Sequence, residues 1–156
     1  MRNDAGVDHA ITIREFSYGS DASQFVRLHL PSGDNLPVVV VIHGGFWRQR
    51  YGVELADPLA DDLARHGVAA AAVEYRRVGE GGTGGWPQTL TDVATAVDDL
   101  EAAGQYKARG ALDLSRVVVV GHSAGGHLAA WLLHRGSLRA NTPGRIEPGD
   151  SHVALI

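Results

Sequence analysis

The segment that most constrains the fold of this chain is VVVVGHSAGGHLAAW, which runs from Val117 to Trp131. Four consecutive valines are apolar on both faces, as in a strand that helices cover on each side. A glycine-containing turn follows, and leucines then recur at helical spacing. The segment therefore predicts a buried strand at Arg116–Gly121, a tight turn, and a helix over Ser123–His134.

The same alternation of buried strand and amphipathic helix occurs earlier in the chain. Such alternation indicates parallel strands joined by right-handed crossovers, with helices on both faces of the sheet. In the first of these helices, leucines recur at helical spacing at positions 55, 59 and 63, and Pro58 delays or bends its start. The predicted segments, strand and helix in turn, are Val38–His43, Tyr51–His66, Val68–Tyr75 and Trp86–Leu100.

Two segments ahead of this alternation switch between apolar and polar residues, which is typical of half-exposed antiparallel strands. The first, HAITIREFSY, directs Ile11, Ile13 and Phe16 inward, and the second, QFVRLHLP, alternates through Phe25, Arg27 and His29. Near the other end, SHVALI predicts the start of a fourth buried strand over residues 151–156. No repeat or linker interrupts the pattern, so we expect one α/β domain over residues 1–156, with antiparallel strands at its beginning.

The composition excludes several functional classes. The chain has 156 residues, 44% of them hydrophobic, and a net charge of −4, which fits a globular domain and argues against nucleic acid or an anionic membrane as partner. It has no cysteine, which excludes disulfides, thiolate metal sites and a cysteine nucleophile. No apolar run approaches the roughly 20 residues that span a bilayer, and no apolar signal core opens the chain. We therefore expect a cytoplasmic protein.

The turn at Gly121-His122-Ser123-Ala124-Gly125 has the spacing G-x-S-x-G of a nucleophile elbow. In such an elbow the serine lies on a sharp strand-to-helix turn that only small neighbours allow. The start of the helix favours a developing anion, so the amide of Ala124 is a candidate oxyanion donor. The alternative is an ordinary glycine turn in which Ser123 caps the helix.

A second glycine turn follows the strand Val38–His43. Gly44 and Gly45 would let the backbone direct N–H groups toward a substrate carbonyl. Phe46 and Trp47 are candidates for the acyl pocket, with core packing as the alternative. His43 stands at the end of the strand, where we expect its imidazole to fix the loop by hydrogen bonding and not to act as the catalytic base.

The sequence lacks the usual patterns of cofactor and metal sites. The turn reads G-H-S-A-G-G, which is not the dinucleotide pattern G-x-G-x-x-G, and no Gly-Lys-Ser or Gly-Lys-Thr occurs. His122, His127 and His134 lack the HExxH pattern and a nearby carboxylate, so we expect no metal and no cofactor. We expect His127 to be packed or solvated on the helix and His134 to lie at the helix end, where a partly positive imidazole suits the dipole.

These motifs together resemble the α/β-hydrolase superfamily, and within it the arylformamidase (kynurenine formamidase) and carboxylesterase-like branch. The resemblance rests on His43-Gly44-Gly45-Phe46-Trp47, on Gly121–Gly126, and on Glu74-Tyr75-Arg76 with the later Trp86-Pro87. It implies an α/β-hydrolase fold, Ser123 as nucleophile, and Gly44, Gly45 and Ala124 as oxyanion-hole residues. It also implies small esters or N-formyl amides as substrates. For Glu74 and Arg76 we expect an ion pair that braces the loop after the strand.

The resemblance also implies a triad in the order nucleophile, acid, histidine. After Ser123 the only nearby acid–base pair is Asp150 and His152, and both precede the predicted strand, too early for the family's positions. The sequence thus predicts the N-terminal half to two-thirds of a hydrolase, with little activity as it stands. A non-catalytic α/β binding module is the alternative. Self-association into a homo-oligomer, or completion of the sheet by another chain, stays open.

Overall fold

The computed structural model of the chain describes residues 10–147, 150 and 153. Besides the main elements there are short 3-10 turns at Val53–Leu55 and Arg135–Ser137 and a π-helical turn at Leu100–Gly104. The strands are β1 Ile11–Ser17, β2 Phe25–Pro31, β3 Leu36–Ile42, β4 Ala69–Val73 and β5 Leu112–Gly121. The helices are α1 Asp57–Arg65, α2 Gln88–Asp98, α3 Gln105–Lys107 and α4 Ala124–Leu133.

The five strands form a single sheet in the order β1-β2-β4-β3-β5. β2 pairs antiparallel with both β1 and β4, while β3 runs parallel to β4 and β5. The predicted α/β class, with antiparallel strands preceding a parallel group, is therefore confirmed. Since the carboxyl ends of parallel strands meet at one edge of a sheet, the turns after β3, β4 and β5 come together there.

The apolar residues bury themselves on both faces of this sheet. The larger core joins the sheet to α2 and α4, with residues such as Val40, Val93 and Leu128 fully buried. The smaller core joins it to α1, where Ala60 lies over Ala70 and Ala72 of β4. Small side chains on both surfaces let α1 approach the sheet closely, which explains the alanines at positions 70 and 72; Ala69 and Ala71 face the larger core.

Helix α1 begins later than the leucine spacing suggests and turns another face inward. Asp57 and Pro58 occupy its first turn, and its buried residues are Ala60 and Ala64. Leu55 and Leu59 are 53% and 43% exposed, and of the three leucines only Leu63 packs on the smaller core. The leucine spacing therefore marks the wrong face of the helix, because β4 leaves room only for alanine beneath it.

Two further predictions about facing residues need correction. Ile13 is 49% exposed, because β1 is the outer strand of the sheet and only Phe16 reaches the larger core. His29 is only 2% exposed and not half-exposed, because α1 covers it; its imidazole Nε2 lies 3.2 Å from the Asp57 carboxylate.

β5 starts earlier than the valine run predicts, at Leu112, where it pairs with Leu36 before a register shift. The prediction that this strand is buried on both faces is wrong: Val118 and Val120 are 42% and 41% exposed, because β5 is an outer strand of the described sheet. The predicted fourth strand, 151–156, lies outside the described residues except for Val153, which is buried in the larger core. Within the described ranges, none of the helices combines the length and apolar character needed to cross a bilayer.

Candidate active site

Ser123 occupies the turn between β5 and α4, where its side chain is exposed at the carboxyl edge of the sheet. Its backbone has φ 54° and ψ −116°, a conformation that residues with a side chain rarely adopt and that marks functional sites. Although Ser123 precedes the first helical residue, its side chain makes no capping hydrogen bond. The conformation agrees with the elbow interpretation and not with a simple helix cap.

The glycines that flank Ser123 are required by close backbone contacts. A Cβ added at Gly121 would overlap the carbonyl of Gly125, and one at Gly125 would overlap the carbonyl oxygen of Ile42 in β3. The turn therefore brings the start of α4 directly against the end of the neighbouring strand. This is the physical reason for small residues two positions before and two after the serine.

The loop after β3 lies beside this turn. A Cβ at Gly44 would be 3.2 Å from the Ser123 Cβ and 2.7 Å from the His122 carbonyl oxygen. Beyond it, Gly45, Phe46 and Trp47 all have positive φ, of 115°, 55° and 56°. The structure thus places the loop of the second glycine motif in direct contact with Ser123.

Backbone hydrogen bonds hold this left-handed turn in place. The Arg48 amide donates to the Gly45 carbonyl at 2.9 Å, and the Val78 amide donates to the Trp47 carbonyl at 2.7 Å. Within residues 10–147, by contrast, no hydrogen bond engages the amides of Gly44, Gly45 or Ala124. These three amides therefore have no protein partner in that part of the chain.

The two aromatic residues of the loop lie on the surface. Phe46 is 70% exposed, so the core-packing alternative is wrong for this residue. Trp47 is 37% exposed and meets the His127 ring edge-on at 5.5 Å between centroids. His127 thus lies against the loop, while His134 ends α4 with its Nδ1 2.7 Å from the Ala130 carbonyl oxygen.

His43 lies behind the loop and is 2% exposed. Its Nδ1 is 2.8 Å from the Gly44 carbonyl oxygen, and its Nε2 is 2.8 Å from Oε1 of Glu74. Tyr75 stacks on the imidazole at 4.5 Å between centroids and donates its hydroxyl to the His43 carbonyl. Burial lowers the pKa of His43 to about 4. The expectation that His43 fixes the loop agrees with these contacts.

The sheet register explains why His43 meets Glu74. Ile42 pairs with Val73 in the parallel β3–β4 ladder, so the next residue of each strand lies side by side. The predicted ion pair between Glu74 and Arg76 is wrong. Glu74 pairs with Arg77, while Arg76 contacts Asp92 of α2 through Nε and Nη2 at 2.9 and 2.8 Å. Because β4 ends at Val73, strand alternation no longer decides where these side chains point.

Sequence reasoning missed the cluster formed by Glu74, Tyr75, Arg77 and His43. All four side chains are buried. They follow β3 and β4, neither of which contains a charged residue. Buried charges must be paired, so the run Glu74-Tyr75-Arg76-Arg77 after an alanine strand was a usable signal for such a cluster. What it could not supply was the identity of the partners.

The described residues do not complete a catalytic triad. Within them no hydrogen bond joins the Ser123 side chain to a histidine or a carboxylate. Asp150 accepts the Glu147 amide at 3.0 Å in a local turn, and His152 lies outside the described residues. Nor does this part of the chain hold a group of three or more side chains suited to a metal ion.

Comparison with known protein families and proteins agrees with this geometry. Residues 27–142 match the family designated BD-FAE. The chain is 38% identical over 111 residues to carboxylesterase NlhH of Mycobacterium tuberculosis, a match covering 67% of this chain and 32% of that protein. It is 29% identical over 124 residues to kynurenine formamidase of Danio rerio, a match covering 78% of this chain and 39% of the formamidase.

Solved structures of esterases share the fold. A bacterial heroin esterase superposes with a TM-score of 0.65 at 31% identity, over 86% of this chain and 42% of the esterase. Esterase B from Lactobacillus rhamnosis superposes with a TM-score of 0.69 at 27% identity, again over 86% and 42%. The chain thus spans less than half the length of the proteins it matches.

Proposed function

The chain belongs to the BD-FAE family of α/β-hydrolase-like proteins, and from this membership we propose that it is a serine hydrolase of small carboxylic esters or N-formyl amides. The observation that carries the proposal is the contact between two turns. Ser123 lies in a turn with positive φ after β5, and Gly44 of the loop after β3 lies against it. Serine hydrolases place their nucleophile and oxyanion donors in this relation.

In the proposed reaction the Ser123 hydroxyl oxygen attacks the substrate carbonyl carbon and forms a new C–O bond. The carbonyl oxygen becomes an oxyanion, to which the amides of Gly44, Gly45 and Ala124 donate. Collapse expels the alcohol or amine, which takes up the serine proton through a general base, and water then releases the acid from the acyl-serine. Oxyanion donors of this kind contribute roughly 10²–10³-fold each to turnover.

The substrate class rests on the relatives. One curated relative is named a carboxylesterase and another a kynurenine formamidase, and the two superposed structures described above are also named esterases. Ester and formamide hydrolysis share the same acyl transfer to serine, so one elbow serves both. Exposed Phe46 and Trp47 belong to the loop that contacts Ser123 through Gly44, and we propose that they contact the acyl or leaving group.

The proton-accepting base is the part of this mechanism that the described residues do not supply. Without its base, a triad serine retains a residual acceleration of roughly 10³–10⁴ over water, after a loss of about 10⁶ in turnover. We therefore expect this chain alone to hydrolyse esters slowly, with a residual acceleration that comes from the oxyanion donors and substrate binding and not from Ser123.

An assay with p-nitrophenyl acetate and with an aryl formamide tests the proposal. Release of product should be slow but faster than in buffer, and it should change little in Ser123→Ala or in Ser115→Ala, which removes another exposed serine near the start of β5, because the oxyanion donors and binding provide the residual rate. Product release no faster than in buffer would contradict the hydrolase function and favour a non-catalytic binding module. Turnover at ordinary enzyme rates, above about 1 per second, would show instead that this chain already contains a working base.

A further inference from the structure

The contacts of His43 contain a donor–acceptor conflict. Nδ1 faces the Gly44 carbonyl oxygen and Nε2 faces Oε1 of Glu74, each at 2.8 Å. Both partners accept hydrogen bonds when the carboxyl is ionised, whereas a neutral imidazole has one N–H donor and one acceptor nitrogen. With a neutral His43 and an ionised Glu74, one of these two buried contacts would bring lone pairs together.

We propose that His43 and Glu74 share one additional proton, beyond those of a neutral imidazole and an ionised carboxylate. This proton fixes the orientation of the Gly44–Gly45 peptide in the loop after β3. Glu74 is then a positioning residue, which acts on the loop through His43. The functional meaning of this inference rests on the proposed hydrolase function, but the proton itself does not.

The groups around His43 have opposing effects on the pKa of its imidazole. Burial, with Arg77, lowers the pKa of His43 to about 4, while the Gly44 carbonyl and Glu54 act the other way. The imidazole alone would thus not carry a second proton at neutral pH.

Around Glu74 the donors are numerous. Its Oε2 accepts the Val53 amide at 2.9 Å, its Oε1 accepts the Tyr75 amide at 3.0 Å, and Arg77 pairs with the same carboxylate. These contacts favour the ionised carboxylate. The donor–acceptor conflict at His43 is what requires the additional proton, which we place in the 2.8 Å Nε2–Oε1 contact, where the two groups titrate as one unit.

The shared proton determines which nitrogen of His43 donates to the loop. While it is present, Nδ1 keeps its own hydrogen and donates it to the Gly44 carbonyl. The carbonyl of a trans peptide and the following N–H point in opposite directions. A Gly44 carbonyl held toward buried His43 therefore turns the Gly45 amide away from His43; in the proposed arrangement this amide faces Ser123.

Loss of the proton to solvent at higher pH reverses this arrangement. The one remaining imidazole hydrogen is then drawn to Nε2, opposite the ionised Glu74. Gly44 loses its donor, and the Gly45 amide is no longer fixed toward the serine. The loop has only glycine at these two positions, so no side chain of its own opposes a change in the orientation of this peptide.

The variant Glu74→Gln separates the proton from the geometry. Its side-chain amide can donate to Nε2, which keeps the hydrogen of His43 on Nδ1, but the amide does not titrate. The matched control is Glu54→Gln, because Glu54 is the other carboxylate that influences His43 yet makes no hydrogen bond to it among the described contacts.

The measurement is nuclear magnetic resonance of the ¹⁵N-labelled chain between pH 6 and 10, following the Gly45 amide and the two nitrogens of His43. We expect the Gly45 amide to shift in a single titration in wild type and in Glu54→Gln, and to stay constant in Glu74→Gln. The His43 nitrogens should report a hydrogen on Nδ1 at pH 7, with Nε2 sharing a second one.

The proposal is overturned if His43 at pH 7 carries a single hydrogen on Nε2, or if Glu74→Gln leaves the Gly45 titration unchanged. If Glu74→Gln fails to fold, the ¹⁵N signals of His43 in the wild-type chain are sufficient to test the proposal. No step of this experiment needs turnover, so a failure of the proton inference and a failure of the hydrolase function are told apart.

Discussion

Replacing Gly125 by alanine should destabilise the fold because this residue joins α4 to the sheet. An added Cβ would overlap the Ile42 carbonyl oxygen and lie 2.7 Å from the His43 carbonyl oxygen. Both oxygens belong to the end of β3, which is hydrogen-bonded to a neighbour on each side. The strand cannot give way, so α4 must move outward.

The size of the effect follows from two opposing contributions. Overpacking of a buried site costs about 1–3 kcal/mol, and more where backbone has to move. Alanine in place of glycine within a helix returns about 0.5–1 kcal/mol. We therefore expect Gly125→Ala to lower the free energy of unfolding by about 2 kcal/mol.

Urea unfolding followed by tryptophan fluorescence and by circular dichroism measures this loss. With a urea dependence of about 1–3 kcal/mol per molar, the midpoint should fall by about 1 M. Gly136→Ala is the matched control: a Cβ there meets nothing within 4 Å, so its midpoint should stay close to that of wild type. Equal midpoints for the two variants would refute the argument that contact between α4 and β3 requires glycine in the elbow.

Two further predictions concern buried polar groups. Burial raises the pKa of the Tyr18 and Tyr75 phenols above their usual range. The folded state therefore favours neutral phenols, and stability should fall as the pH rises past about 10. In an absorbance titration, the contributions removed by Tyr18→Phe and Tyr75→Phe should appear only with alkaline unfolding; their appearance in the folded chain would contradict their burial. Buried Arg135 donates to both oxygens of Asp98, at 2.8 and 2.6 Å. Arg135→Met should cost about 2 kcal/mol in urea unfolding. Arg65→Met, at an exposed pair with Asp61, should cost under about 0.5 kcal/mol, and equal losses would contradict the difference in burial.

The parallel strands and the serine turn were predictable because their signals are local. Val38–Ile42 is apolar on both faces, as expected of a strand that helices cover on each side. The same pattern at Val117–Val120 predicts the strand but not its burial, because Val118 and Val120 are exposed at the edge of the described sheet. The residues around Ser123 must be small because the backbone there contacts residues a few positions away along the chain and one neighbouring strand. Such a pattern can be recognised from consecutive residues without knowledge of the tertiary structure.

The buried face of α1 and the partners of Glu74 were not predictable in this way. The choice between Leu59 and Ala60 as the inward residue depends on the alanines of β4, which lie on a different element. Glu74 meets His43 because Ile42 and Val73 are in register, and the register of a parallel pair depends on the whole sheet. These features need the tertiary arrangement before local chemistry can be assigned.

The most direct test of the active-site assignment is covalent labelling of the folded chain with a fluorophosphonate, followed by peptide mass spectrometry. The assignment predicts that the label sits on Ser123, that Ser123→Ala abolishes it and that Ser115→Ala leaves it in place. A label carried on another residue, or one retained in Ser123→Ala, would contradict Ser123 as the nucleophile.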